Sequence, residues 1–177
     1  MGAPTRQVLQ VGEWADVGLF FNARINATAM ERAPRTTALL RSGAGGLLRD
    51  ATSCPLGSAY FSLLRPHTRL KPHCGPTNAR LRAHLALHVP EGDCAIRCGD
   101  DEPRPWVEGE VLLFDDSFEH ETWNLTDEPR LVLIVDLWHP QLVTDEARYD
   151  AMTEASQPTR YAKALTGEFE STTERGH

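Results

Sequence analysis

The sequence predicts a mainly β protein, a double-sheet jelly roll with supporting helices before it and a short helical tail after it. Three observations lead there. From Ser58 onward, short apolar or alternating runs recur between clusters of turn residues, the spacing expected of many short strands. Helical signals are confined to the stretch after Pro34 and to the segment after Thr144. The run Arg80–Val89 alternates along its whole length, which fits a strand and no helix.

Composition bounds the rest. A chain of 177 residues with 41% hydrophobic and 24% charged content reads as one globular domain, residues 1–177, with its core at about 55–142. A net charge of −7 argues against nucleic-acid binding, which requires a basic face to displace counterions. No apolar run reaches the roughly 18 residues of a membrane span, and Met1–Gln7 lacks an apolar signal core. A cytoplasmic location is the default expectation.

Taken in order, Trp14–Met30 has no clean period, and a short strand or loop is expected around Val17–Phe21. A helix of about two turns should start after Pro34 and stop at Ser42-Gly43, because proline suits a helix start and glycine its end. Ser58–Arg65 reads as a strand closed by Pro66. Arg80–Val89 follows, then a turn at Pro90–Asp93 and strands at Cys94–Cys98, Val111–Phe114, Glu119–Asn124 and Arg130–Trp138. Thr144 caps a helix over 144–149 with acids in its first turn, and the polar tail to His177 frays.

Chemistry concentrates between His67 and Trp138. On Arg80–Val89 the residues Arg80, Arg82, His84, Ala86 and His88 share one face. That face is either solvated or lines a polar cavity; an ordinary core would leave its charges unpaired at several kcal/mol each. A His-rich segment just upstream favours the cavity. His73 and His120 stand 47 residues apart, and Arg130 follows His120 by ten, a spacing that a hairpin can bring to one inner face. Imidazole suits iron, zinc and copper, and an arginine fork matches a carboxylate. An iron triad places a carboxylate two residues after its first histidine; here that position is Gly75. Cys54, Cys74, Cys94 and Cys98 could form two bridges, but buried or half-buried free thiols are the better reading.

The motifs His73–Asn78 (His-Cys-Gly-Pro-Thr-Asn), Arg80–Leu85 (Arg-Leu-Arg-Ala-His-Leu), Phe114–Glu121 (Phe-Asp-Asp-Ser-Phe-Glu-His-Glu) and Val135–Pro140 (Val-Asp-Leu-Trp-His-Pro) are specific when found together. With Ala33–Leu40 as a helical lead-in, they make residues 14–142 resemble the aspartyl/asparaginyl beta-hydroxylases, a family of iron(II)- and 2-oxoglutarate-dependent oxygenases. The resemblance implies a double-stranded β-helix in which His73 and His120 are the only protein ligands of Fe(II), with water at the place opened by Gly75. It implies that Arg130 and Ser62 hold the distal carboxylate of the cosubstrate 2-oxoglutarate. Arg82 and His84 would steady its iron-chelating end, and Arg80 would face the substrate. Asp116 would be a supporting or turn residue, and His67 and His139 would have no role. O2 is the oxidant, and the substrate is a small-molecule, carrier-bound or peptide species bearing a carboxylate or amide. The implied reaction is hydroxylation of an unactivated C–H, most directly the β-carbon of an Asp or Asn residue. An iron halogenase with chloride at the Gly75 place, and a jelly roll that binds without catalysis, are the alternatives.

Overall fold

The structure is a computed structural model that describes residues 8–21, 24–42 and 53–155. Its elements begin with strands β1 (Leu9–Val11), β2 (Trp14–Phe21) and β3 (Arg24–Ile25), then helices α1 (Ala27–Arg32) and α2 (Pro34–Ser42). Strands β4 (Ser58–Leu64), β5 (Thr68–His73), β6 (Arg80–His88) and β7 (Cys94–Cys98) follow. The chain continues through β8 (Arg104–Pro105), β9 (Val111–Phe114), β10 (His120–Asn124) and β11 (Arg130–Trp138) to helix α3 (Asp145–Ala155). The strands form two antiparallel sheets, one ordered β1-β5-β10-β7-β8 and the other β3-β2-β4-β11-β6-β9. This is the jelly roll expected from the strand spacing.

Strand β11 shows why the layers stack as they do. Its even residues, Val132 and Ile134, join Tyr60, Ala86, Cys94, Ile96, Trp106 and Phe114 in the core between the sheets. Its odd residues, Leu133, Val135 and Leu137, point the other way and pack with Met30 and Leu40 of the two N-terminal helices. A strand covered on both faces needs apolar residues at nearly every position, which is what Leu131–Val135 supplies. Arg130 and Asp136 break that run on the inward face, and both are buried.

The helix after Pro34 and the strands at Ser58, Arg80, Cys94, Val111 and Arg130 lie where the sequence put them. Thr144 caps α3 by accepting a hydrogen bond from the Ala147 amide at 3.1 Å, although the helix runs past Tyr149 to Ala155. The expected stop at Gly43 and the tail beyond Ala155 lie outside the described residues. Strand β2 begins at Trp14, earlier than expected, and α1 had no periodic signal; its start is set locally by the Asn26 side chain accepting from the Ala29 amide.

Strand β5 was also unexpected, because Thr-Arg-Leu-Lys-Pro-His has no sustained alternation. Thr68 and Leu70 point inward, but the register against β10 shifts between the Thr122–Leu70 and His120–His73 pairs. Three steps on β5 match two on β10, so one extra residue bulges out at Lys71-Pro72. The bulge turns His73, rather than Pro72, toward His120. The four cysteines are free thiols, Cys54 and Cys94 buried and Cys74 and Cys98 half-buried. Burial pushes the Cys94 thiol up to about 11, so it stays protonated.

Candidate active site

His73 and His120 sit directly opposite each other on β5 and β10, with ring centroids 4.2 Å apart. Each ring is oriented in the same way. His73 Nδ1 lies 2.8 Å from the Lys71 carbonyl and His120 Nδ1 lies 2.9 Å from the Phe118 carbonyl. A carbonyl only accepts, so each Nδ1 carries the proton and each Nε2 presents a lone pair, the tautomer a metal ligand needs. Burial holds the His73 pKa below its ordinary value. Burial, then the neighbouring His73, takes His120 down to about 3. Both rings are therefore neutral at physiological pH. No third His, Cys, Asp or Glu joins them in a metal-holding group among the described residues.

A chain of ring contacts leads from this pair into the inter-sheet core. The Phe114 ring meets His120 at 5.3 Å and His84 at 5.0 Å. His84 lies nearly parallel to Trp106, whose Nε1–H donates to His84 Nδ1 at 3.3 Å. Arg130 in turn places its guanidinium over the Trp106 ring, 4.7 Å from the centroid. Sequence reasoning had passed over Trp106, since a lone aromatic in a Pro-Trp-Val-Glu-Gly turn carries no periodic signal.

Arg130 is the anomaly of the interior. It is 2% exposed, yet its Nε and Nη1 have no hydrogen-bond partner and no carboxylate pairs with it among the described residues. Burial lowers its pKa from 12.5 to about 10. His84 is equally buried, and its Nε2 likewise has no partner. Burial, and then the Arg130 charge, holds its pKa well below 6.5, so the ring is neutral. Ser62 is buried on the neighbouring strand, and its Oγ accepts from Trp14 Nε1 at 3.0 Å, leaving the hydroxyl proton free to donate elsewhere.

Arg80 and Arg82 behave differently from Arg130. Arg82 makes a two-pronged pair with Asp136 at 2.8 and 3.1 Å and reaches Asp116 at 3.0 Å. Arg80 pairs with Asp116 and Asp136, each at 2.9 Å, and donates to the Leu56 carbonyl. Two cations and two anions thus form a closed, neutral, buried network. Burial alone would raise the Asp116 pKa, but Arg82 and Arg80 overcome it and hold the carboxyl ionised well below the usual range. Every Arg80 nitrogen is engaged, so a substrate would contact it only by displacing an aspartate. The expectation that Arg80 faces the substrate is corrected to that extent. Asp136 was missed in the sequence, although an aspartate at an inward position of an apolar strand is itself a signal of an internal partner.

Gly75 explains how this network fits. Its amide donates to the Asp116 carbonyl at 2.5 Å, and a Cβ at this position would overlap the Asp116 carboxylate. The space a side chain at 75 would fill therefore holds the carboxylate that binds Arg80 and Arg82. His67 lies at the surface 3.0 Å from Asp127, away from this constellation. His139 accepts a local hydrogen bond from the Gln141 amide.

Residues 3–140 match the family model described as Aspartyl/Asparaginyl beta-hydroxylase. The chain belongs to that family. Among curated beta-hydroxylase relatives, the aspartyl/asparaginyl beta-hydroxylase of Mus musculus is 44% identical over 137 residues, 77% of this chain and 18% of that protein. The Homo sapiens protein of the same name is 43% identical over 137 residues, 77% of this chain and 17% of that protein. Aspartate beta-hydroxylase domain-containing protein 1 of Homo sapiens is 42% identical over 131 residues, 72% of this chain and 32% of that protein. The chain thus spans under a fifth of the length of the first two of these hydroxylases. Among the described residues no helix is long and apolar enough to cross a membrane.

Proposed function

We propose that this domain is an Fe(II)- and 2-oxoglutarate-dependent oxygenase that hydroxylates an unactivated C–H, the β-carbon of an Asp or Asn residue or a related amino acid. The observation that carries this reading is the unpaired, buried Arg130, joined through Trp106, His84 and Phe114 to two neutral histidines with free Nε2 atoms. A lone buried cation costs several kcal/mol, a penalty that an anion removes on binding. The free donors of Arg130 and His84 suit an acceptor-only ligand, and a dicarboxylate is such a ligand at both ends.

The residues fit both groups. His73 and His120 would hold iron through Nε2, with the Lys71 and Phe118 carbonyls keeping the rings in that tautomer. Arg130, with the Ser62 hydroxyl, would bind the distal carboxylate of 2-oxoglutarate. His84 would donate to the end that chelates the metal, and Arg82 would steady that end from within its paired network. When bound, iron with O2 and 2-oxoglutarate supplies the oxidising power, one oxygen entering the product as 2-oxoglutarate becomes succinate and CO2. The substrate is a small-molecule, carrier-bound or peptide species bearing a carboxylate or amide. A cleft of about 440 Å³, lined by Phe114 and Phe118 and by the acids Asp100, Asp101, Glu102 and Asp115, among others, adjoins His120 through the Phe114 ring.

The packing at Gly75 supports hydroxylation over halogenation. The Asp116 carboxylate already fills the space beside Gly75, so a chloride there would have to displace it from Arg80 and Arg82. The test is incubation of anaerobically loaded protein with iron, 2-oxoglutarate and candidate Asp- or Asn-containing peptides, then admission of O2. A mass gain of one oxygen, indifferent to chloride, is expected; a chlorinated product, or none alongside unchanged 2-oxoglutarate, would overturn the reading.

A further inference from the structure

We infer that Trp106 is the positioning residue that fits the buried Arg130–His84 site to a dicarboxylate, fixing the His84 tautomer with its N–H while its ring packs against Arg130. This rests on the cosubstrate reading above and goes beyond it, because that reading uses Trp106 only as a link between Arg130 and His84 and gives it no role in binding.

The tautomer follows from donor logic. An indole N–H only donates, so the His84 Nδ1 that faces it at 3.3 Å must accept. A neutral imidazole with an accepting Nδ1 carries its proton on Nε2. Among the described residues that buried Nε2 has no partner, so it is an N–H donor facing the interior with nothing there to donate to. Arg130 Nε and Nη1 are in the same condition. With the tautomer set, these unpartnered positions are all donors. A ligand oxygen without protons satisfies them, whereas an amide NH2 or a hydroxyl proton set against them leaves a donor facing a donor. In the other tautomer, His84 would offer a lone pair at Nε2 and repel a carboxylate. One hydrogen bond therefore decides whether this part of the site attracts or rejects an anion.

The second role is steric and electrostatic. The Trp106 ring lies 4.7 Å from the Arg130 guanidinium carbon, a face-on contact that tolerates the cation without neutralising it. A carboxylate partner in the place of Trp106 would quench Arg130 internally and remove its demand for a ligand. Trp106 itself is 4% exposed and packs with Tyr60, Ile96 and Val132, so both contacts are held by the core and not by a mobile loop tip.

Trp106→Phe separates the two roles, since phenylalanine keeps an aromatic face for Arg130 and loses the N–H. The experiment has two arms. Nitrogen-15 NMR of the histidine rings in the wild-type protein, without metal or cosubstrate, reads the His84 tautomer, with His84→Gln identifying its signals. Anaerobic calorimetry then measures the dissociation constant of 2-oxoglutarate in the zinc-loaded protein for the wild type, Trp106→Phe and Arg130→Met. The expected result is a wild-type His84 protonated at Nε2, a mixture of tautomers in Trp106→Phe, and 2-oxoglutarate binding weakened about tenfold or more in that variant. A wild-type His84 protonated at Nδ1 overturns the inference without any variant having to fold. So does unchanged affinity in Trp106→Phe when Arg130→Met has lost binding, and in that case the cosubstrate assignment stands. Unchanged affinity in both variants overturns the inference together with the cosubstrate reading.

Discussion

Replacing Arg130 by methionine should make the ligand-free protein more stable while removing its affinity for 2-oxoglutarate. The usual expectation for a fully buried long side chain is a loss, because core substitutions sacrifice packing. Arg130 is different in that its charge has no counter-ion among the described residues. The fall of its pKa from 12.5 to about 10 corresponds to about 3 kcal/mol against the charged form, present in full at neutral pH. The contact with Trp106 offsets about 1–2 kcal/mol of this. Methionine has similar reach and no charge, so Arg130→Met should stabilise the ligand-free protein by about 1–2 kcal/mol, within the range seen when buried ions are replaced by apolar groups. For a chain of this size that raises the melting temperature by roughly 2–8 °C. The assay is urea denaturation at pH 7 with and without 2-oxoglutarate at a hundredfold excess over its dissociation constant. Wild type should gain about 2.7 kcal/mol from the ligand and the variant nothing. A variant less stable than wild type by 2 kcal/mol or more, as for an ordinary core truncation, would mean that Arg130 is satisfied internally and needs no anion.

Further outcomes follow from the same geometry. His73→Ala and His120→Ala should each abolish iron-dependent turnover while near-ultraviolet circular dichroism stays unchanged; wild-type 2-oxoglutarate consumption in the double variant would remove the metal assignment. Burial keeps His73, His84 and His120 neutral in the fold, whereas the unfolded chain takes up their protons near pH 6.5. Their contribution is therefore complete above about pH 6.5 and is lost as pH falls toward the His120 value of about 3, at up to about 1.4 kcal/mol per pH unit for each histidine. Denaturation midpoints of the metal-free protein at pH 7, 6 and 5 check this, and a flat profile would contradict it. Asp116→Ala should cost about 3–5 kcal/mol by leaving Arg80 and Arg82 undercompensated. Gly75→Ala should be far less harmful in that background than alone, and strict additivity would disprove the contact between the two positions.

The sequence made the site legible wherever strand alternation is strict. Arg80, Arg82 and His84 do share the inner face of β6, because a period of two holds from Arg80 to Ala86. Beyond Ala86 the register against β11 shifts by one residue, and His88, expected on the same face, is exposed. Alternation alone fails at His73, which reaches the inner face only through the bulge at Lys71-Pro72. That bulge is a property of pairing with β10, and nothing in β5 itself announces it. The partners of the arginines were harder to see. Asp116 lies in a turn and Asp136 on another strand, so their convergence on Arg80 and Arg82 is long-range and invisible to local pattern. The expectation that Arg80 faces the substrate came from the family resemblance, and local pattern offered no partner to set against it. Trp106 stayed hidden for a related reason, since its meaning comes from His84 and Arg130, 22 and 24 residues away in opposite directions. The Thr144 cap was local and hence readable, whereas the equally local Asn26 cap of α1 had no periodic run after it to give it meaning.

The central claim is that the paired histidines and the unpaired arginine serve one reaction, and labelled oxygen tests it most directly. Protein loaded anaerobically with iron, 2-oxoglutarate and an Asp- or Asn-containing peptide is exposed to labelled O2, and both products are weighed by mass spectrometry. The account predicts one labelled atom in the hydroxylated residue and one in succinate, in equal amounts, with both lost in His73→Ala and in Arg130→Met. Succinate without labelled product for every Asp- or Asn-containing substrate, or labelled product that forms without 2-oxoglutarate, would contradict it.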